Sequence, residues 1–543
     1  MPLSNRSGKG GRVLHILLIA ALVVVSRAPF LVRGDRFFDS DEAVEGLMAR
    51  HVLQGEHPVF LWGQRYKGVP EVYLTAALFA VTGPSVVALK SVTLGCFAVF
   101  VALQFLLVER LFSRVVAWMA TVFLIVGPPS LVLWSLSASA EIVLTLLAGT
   151  LVCLGFDIWR RTGSRPALAV ACASLGFGVW VQQFIIYYVV ALGLAVLYDM
   201  PKRRQLIGDF LAARDLPAWG RTMLWGVAAV AVGYVALGAA AFLTGGFDLA
   251  AAGLRIGVHH PQKLWHIAAA VFFLCGGARV VSLLASPPWR AVRPTVLLAA
   301  SAFALGYLPA LVGYAMGGGG APIARADLRN VSNALLPILR QVVPIVFGFR
   351  SPTTGWLGVP PWLGLMIGLA IGASFFALRR RTFTPLFHLL LVTATLLFLL
   401  SGAFVNAQSY RYLMPVAGAL SVVMALGVSC IFRQSRVAGA VSLATLLVLF
   451  ALEQRAWYLE LMPDAQSAAI IACLDRAGVR AAYADYWLSY KLTFLTGERI
   501  IVAPNSGVDR YLPYRDHVRA QPSAPTIPQT ISTSCAQPSR ALF

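Results

Sequence analysis

SVVALKSVTLGCFAVFVALQFLLV, residues 85–108, runs 24 residues with a single charge, Lys90. At about 1.5 Å of rise per residue, a helix of this length crosses the roughly 30 Å hydrocarbon layer of a bilayer. Working outward, the same kind of run recurs near 13–32, 115–133, 141–159, 167–181, 182–199, 222–244, 264–285, 294–316, 361–378, 385–403, 412–432 and 437–454. Composition agrees. Of 543 residues 58% are hydrophobic and 12% charged, where a soluble domain carries roughly a quarter charged. A soluble chain of this size could not cover its surface with so few charges. The sequence therefore predicts an α-helical polytopic membrane protein with about 13 transmembrane helices.

The net charge of +21 suggests a nucleic-acid binder only until the basic residues are placed. With the N-terminus (Arg6, Lys9, Arg12) inside, the cytoplasmic segments hold 20 Lys and Arg in about 60 residues, as in WRRTGSR, PKRRQ and LRRRT. The outer segments before the last span hold 12 in about 130. That bias is the positive-inside pattern, and it puts the C-terminus outside. Reading 71–83 as a full span would reverse every later segment, so EVYLTAALFAVTG reads as a helix in the outer interface. No small-residue cleavage site follows the first span, which reads as uncleaved.

Residues 1–454 thus form the membrane domain, with two large outer loops at 33–83 and 317–360. Residues 455–519 show the order helix, strand, helix, strand (AAIIACLDRAGV, AAYADY, YKLTFLTG, RIIVAP), a small α/β unit on the outer side. The rest, 520–543, is rich in Pro, Ser, Thr and Gln and reads as disordered.

The first outer loop carries the chemistry. In FFDSDEAVEGLMARHVLQGEHP (37–58), Val44, Leu47, Met48 and Val52 keep a helical spacing, so 41–54 reads as an amphipathic helix on the outer surface. Asp39, Asp41 and Glu42 gather at its start. Acids there stabilise a helix N-terminus and Asp39-x-x-Glu42 approximates a capping box. The same acids also suit a catalytic pair, one taking a proton from a hydroxyl, the other orienting it or binding a metal. GQRYKGVPEVYL (63–74) adds Arg65, Lys67 and Glu71 at the interface, where cations suit a phosphate. Glu141, at the outer edge of its span, is a carboxylate expensive to keep there unless paired or used. Arg340, in the second large loop, and Arg411, beside Tyr412, are further outer-face candidates for holding a phosphate.

DSDEAVEGLMARHVLQGE (39–56), GQRYKGVPEVYLTAALFAVTGPS (63–85), the following span with Lys90, and RYLMP (411–415) together resemble the bacterial glycosyltransferase family 39 proteins. These belong to the GT-C superfamily, with protein O-mannosyltransferases and aminoarabinose-lipid A transferases as relatives. The resemblance implies a GT-C-like fold in the bacterial inner membrane. It implies inverting transfer of a sugar from a polyprenyl-phosphate carrier to an acceptor lipid, glycan or protein at the periplasmic face. Asp41 then matches the catalytic base, Glu42 its partner and Glu141 the second acidic position. Lys67, Lys90, Arg340 and Arg411 become candidates for the leaving phosphate. The chain has Lys67-Gly-Val-Pro70-Glu71 where the aminoarabinose branch has Glu-Lys-Pro-Pro, so Lys67 and Glu71 are approximate equivalents. A divalent cation at Asp41 and Glu42 is the one cofactor that this pattern leaves room for. The rival readings are a lipid or solute transporter and an inactive scaffold. The near-absence of ionisable residues from mid-span regions speaks against passage.

Overall fold

The computed structural model describes residues 9–139, 141–198, 247–251, 254–258, 287–316, 328–352, 362–378, 385–401, 404–505, 507–521 and 524–527. The chain opens with α1 (Lys9–Val32), α2 (Ser40–Leu53), a hairpin of β1 (Phe60–Leu61) and β2 (Gln64–Gly68), and α3 (Pro70–Thr82). There follow α4 (Val86–Leu111), α5 (Arg114–Ile125), α6 (Pro129–Trp134), α7 (Glu141–Thr162), α8 (Arg165–Val181) and α9 (Ile186–Tyr198). An antiparallel hairpin, β3 (Phe247–Ala251) and β4 (Leu254–Val258), precedes α10 (Pro287–Ala315), α11 (Leu328–Pro337) and α12 (Val343–Phe347). The bundle closes with α13 (Trp362–Leu378), α14 (Leu386–Leu400), α15 (Pro415–Gln434) and α16 (Arg436–Glu460).

Six segments are long and apolar enough to cross a membrane among the described residues: α1, α4, α7, α10, α15 and the segment Arg436–Arg476 that begins with α16. The protein is a multi-pass membrane protein. Shorter apolar helices, including α5, α8, α13 and α14, pack among them. Two of the expected spans, 222–244 and 264–285, lie outside the described residues. A third, expected at 115–133, is two helices. Gly127-Pro128-Pro129 interrupts it, because proline offers no N–H to continue the ladder.

That break leaves helix-end carbonyls inside the bundle, and Arg27 of α1 answers them. Its guanidinium donates to Ile125 O at 2.5 Å, Leu124 O at 3.0 Å and Ser135 Oγ at 2.9 Å. A buried cation at the negative end of a helix is thereby satisfied without a counter-ion. Close crossings elsewhere use small residues, as expected where lipid supplies no hydrophobic drive between helices. Gly176 of α8 and Gly306 of α10 face each other's backbone so tightly that a Cβ on either would strike a carbonyl oxygen. Leu17, Val25, Leu305 and Leu311 on the peripheral α1 and α10 stay exposed on the lipid side of the bundle.

The C-terminal unit comprises α17 (Ala465–Arg476), β5 (Ala481–Ala484), α18 (Tyr486–Leu495), β6 (Ile501–Pro504) and α19 (Leu512–Arg519). β5 and β6 run parallel, Ala481 opposite Ile501. The expected disordered tail does not begin at 520. Tyr483 N donates to Pro525 O at 2.8 Å and Ile527 N to Tyr483 O at 2.7 Å, while the Ile527 side chain enters the small core beside Val502 and Ile470. One apolar residue in a polar stretch anchors that segment.

The helix expected to lie on the outer surface is instead enclosed. Ten of the fourteen residues of α2 are buried, because α3 packs against it, Ala88 and Leu89 at the start of α4 join the same core, and α18 of the C-terminal unit covers it. Gly46 permits the contact, since a Cβ there would meet the Phe494 ring at 2.5 Å. Gly46→Leu is expected to lift α18 from α2, an overpacking cost of about 1–3 kcal/mol. Limited proteolysis checks this: cleavage within residues 465–519 should quicken in the variant, while the bundle stays resistant.

At the other end of α2, His51 lies between two carboxylates, Nδ1 at 2.8 Å from Glu56 and Nε2 at 2.8 Å from Glu498. Both ring nitrogens must donate, so the imidazolium is the favoured form. Burial alone would lower the imidazole, but the bonds to Glu498 and Glu56 outweigh it and raise it above its ordinary range. Glu498 has a left-handed backbone (φ 63°), and its side chain also takes Arg50 at 3.1 Å and the Tyr514 hydroxyl at 2.6 Å. The stabilisation from protonated His51 is complete below the unfolded histidine value of about 6.5. It is lost as pH rises through the raised folded value. The C-terminal unit should therefore exchange amide hydrogens faster, relative to the bundle, at pH 8.5 than at pH 6. His51→Gln should abolish that difference.

Candidate active site

The start of α2 gives its three acids three different environments. Asp39 is the N-cap, its carboxylate accepting from Glu42 N at 3.0 Å. Burial, then the charges of Glu42 and Asp41, push the Asp39 carboxyl up to about 7. Its local role is to cap the helix.

Glu42 points into the protein. Its oxygens take the Lys90 ammonium at 2.7 and 2.6 Å, and Ala138 N donates to Oε2 at 2.9 Å. Lys90 is fully buried. Its stem lies against Gly34, where a Cβ would meet Cδ at 2.8 Å, and its ammonium sits 4.2 Å from the centre of the Phe37 ring. Burial raises the Glu42 carboxyl despite the ammonium and the N–H. Lys90, expected among the phosphate-binding cations, is thus the buried counter-ion of Glu42.

Asp41 is one-quarter exposed. Its Oδ1 accepts from the Tyr486 hydroxyl and from Arg510 Nη2 at 3.4 Å, and Arg411 Nη1 lies 3.7 Å from Oδ2. Asp41, Glu42, Arg411 and Tyr412 lie on the wall of a cavity of about 710 Å³, together with Trp134 and Trp487. Arg411 is the cation of that wall among the described residues. It donates to the Tyr412 hydroxyl at 3.1 Å and lies over the Tyr412 ring at 5.1 Å. Burial would lower the guanidinium; Tyr412, Glu141 and Asp41 outweigh it and hold it above its usual range.

Lys67 of β2 meets Glu141, the first residue of α7, at 2.6 Å. Burial would lower the ammonium, but Glu141 raises it, and the charges of Arg411 and Asp41 both reach it. The pair therefore lies within electrostatic reach of Arg411 and Asp41, and neither member lines the cavity described above. Glu71 is buried further in and accepts from the Thr93 hydroxyl. Arg65 and Arg340 are exposed and are not among the residues that line this cavity. A divalent cation between Asp41 and Glu42 does not fit these residues. Glu42 spends both oxygens on Lys90 and Ala138, and no group of three His, Cys, Asp or Glu side chains converges among the described residues.

Tyr486, Arg510 and Trp487 were not anticipated in this role. Their only signal was the aromatic, mixed-charge texture of ADYWLSYK and DRYLPYRD in the C-terminal unit. Asn406 and Gln408, which also line the cavity, gave none.

The fold resembles several solved structures. The oligosaccharyltransferase of Archaeoglobus fulgidus, crystallised with zinc and sulfate, aligns with 94% of this chain at 14% identity and a TM-score of 0.48. That alignment spans 67% of the archaeal enzyme, so this chain covers about two thirds of its length. ArnT from Cupriavidus metallidurans aligns in its apo state with 95% of this chain and 89% of its own, at 12% identity and a TM-score of 0.49. Bound to undecaprenyl phosphate it aligns with 96% of this chain and 90% of its own, at 13% identity and a TM-score of 0.48. No family model and no curated protein matches the sequence. These are likenesses of overall shape, and the site is read from its own geometry.

Proposed function

We propose that the protein is an inverting membrane glycosyltransferase that moves a sugar from a polyprenyl-phosphate donor to an acceptor hydroxyl. The observation that carries the proposal is Asp41, a part-exposed carboxylate on a cavity wall, with the guanidinium of Arg411 at 3.7 Å. One group suits a proton and the other an anion, within reach of one bound molecule. Asp41 takes the proton of the acceptor hydroxyl as its oxygen bonds to C1 of the sugar. The C1–O bond to phosphate breaks from the opposite side, and the electron pair leaves with the polyprenyl phosphate. Arg411 faces that developing charge, and Lys67, held by Glu141, lies within electrostatic reach of it. The aromatic rings of Trp134, Trp487 and Tyr412 offer apolar faces to the sugar.

In this reading the cavity lies on the periplasmic side of a bacterial inner membrane, where carrier-linked sugars need no nucleotide, and the excess of Lys and Arg in alternate segments supports it. The test is lipid mass spectrometry of a strain lacking the protein. A polyprenyl-phosphate-linked sugar should accumulate, and the wild-type gene, unlike the Asp41→Asn gene, should clear it. An unchanged profile of lipid-linked sugars would sink the proposal and leave the transporter reading.

A further inference from the structure

Two side chains of the C-terminal unit reach the same oxygen of Asp41. The Tyr486 hydroxyl and Arg510 Nη2 both bond Oδ1, and Arg510 Nε donates to the Tyr486 oxygen at 3.0 Å. The last bond sets the direction of the others: a phenol oxygen that accepts from a guanidinium turns its own hydrogen to the carboxylate. Burial, then the charge of Asp41, hold the Tyr486 phenol above its usual range, so it remains a donor. The pair is itself rigidly mounted. Arg510 N and Tyr511 N donate to the Tyr490 hydroxyl at 2.6 and 3.0 Å, and that hydroxyl donates to Asp509 at 2.9 Å. Gly63, in the turn between β1 and β2 with φ 68°, lets the Arg510 backbone close in, a Cβ there standing 3.1 Å from Arg510 Cα.

A carboxylate oxygen has two lone pairs, and Oδ1 of Asp41 has two donors. We infer that Tyr486 and Arg510 are positioning residues of the C-terminal unit, which occupy Oδ1 of Asp41 so that Oδ2 is the oxygen that takes the acceptor's proton. The bundle supplies the base and the C-terminal unit aims it. This inference rests on the reading of Asp41 as the base, and the experiment separates the two.

Purified wild type, Tyr486→Phe, Asp41→Asn and the double variant are assayed on the lipid-linked sugar extracted from the deletion strain, with that strain's membranes as acceptor. Tyr486→Phe should lower kcat about 10- to 100-fold, the scale of a misplaced reacting group, with KM for the donor changed less than about 2-fold. In the Asp41→Asn background the same substitution should cost nothing more, because residues acting as one unit are not additive. Arg510→Gln should follow Tyr486→Phe. Protease cleavage within residues 465–519 should match wild type in both variants. The inference is overturned if Tyr486→Phe turns over at the wild-type rate, if it loses as much again in the Asp41→Asn background, or if its loss comes with a newly cleavable C-terminal unit. Wild-type turnover by Asp41→Asn would instead overturn the reading of the base itself.

Discussion

Asp41→Asn is expected to lower sugar transfer by about 10²- to 10⁴-fold, the usual contribution of a positioned general base, while the protein folds normally. The amide preserves shape. Its oxygen can still accept from Tyr486 and Arg510 in the place of Oδ1, so the contact between α2 and the C-terminal unit survives. Its nitrogen then occupies the Oδ2 position and cannot take a proton. Carrier binding should be unchanged or tighter, because the substitution removes a negative charge beside Arg411. Thermal unfolding, binding of undecaprenyl phosphate and initial rates, measured on one preparation, check all three parts. A wild-type rate would remove Asp41 from the chemistry. A variant that neither binds carrier nor melts normally would mean that Asp41 holds the fold.

The sequence placed Asp39, Asp41 and Glu42 together but gave them no means to differ. Within a single turn all three are acids near a helix start, and capping and catalysis both explain them. They are told apart by groups far away in the chain: Lys90 and Ala138 for Glu42, Tyr486, Arg510 and Arg411 for Asp41. Periodicity reports which residues of α2 are apolar, and the helix was legible for that reason. It does not report that a second face, through Gly46, is covered from the opposite side by Phe494. The broken span at Gly127-Pro128-Pro129 was written in the sequence, yet a hydropathy reading passes over it because the flanking residues remain apolar. Arg27 lies in a span, where a charge ordinarily points to function; here it closes the helix end that the same prolines leave open. The positions of Lys67 and Glu141 were each readable as interface charges, whereas their pairing spans 74 residues and needs the fold.

Removing one partner of the Glu42–Lys90 pair is expected to be the most damaging change to stability. Both side chains are almost wholly buried, and each oxygen of Glu42 is within 2.7 Å of the ammonium. Glu42→Ala leaves that ammonium in a pocket built of Phe37, Phe38 and Gly34, with no carboxylate at bonding distance among the described residues. An uncompensated buried charge costs about 3–5 kcal/mol, whereas replacing both partners by neutral groups of similar volume is often close to neutral. Glu42→Gln with Lys90→Met meets that condition, since the amide oxygen still accepts from Ala138 N. In detergent, Glu42→Ala and Lys90→Met alone should unfold well below wild type, and the paired variant should recover most of the loss. The paired variant also decides what Glu42 does. Glu42 also lines the cavity, but its oxygens are committed to Lys90 and Ala138, so a stable protein without the pair should keep transfer well above the Asp41→Asn level. If it is stable yet as inactive as Asp41→Asn, Glu42 takes part in the reaction alongside Asp41, and the buried pair is the means by which its charge is held there.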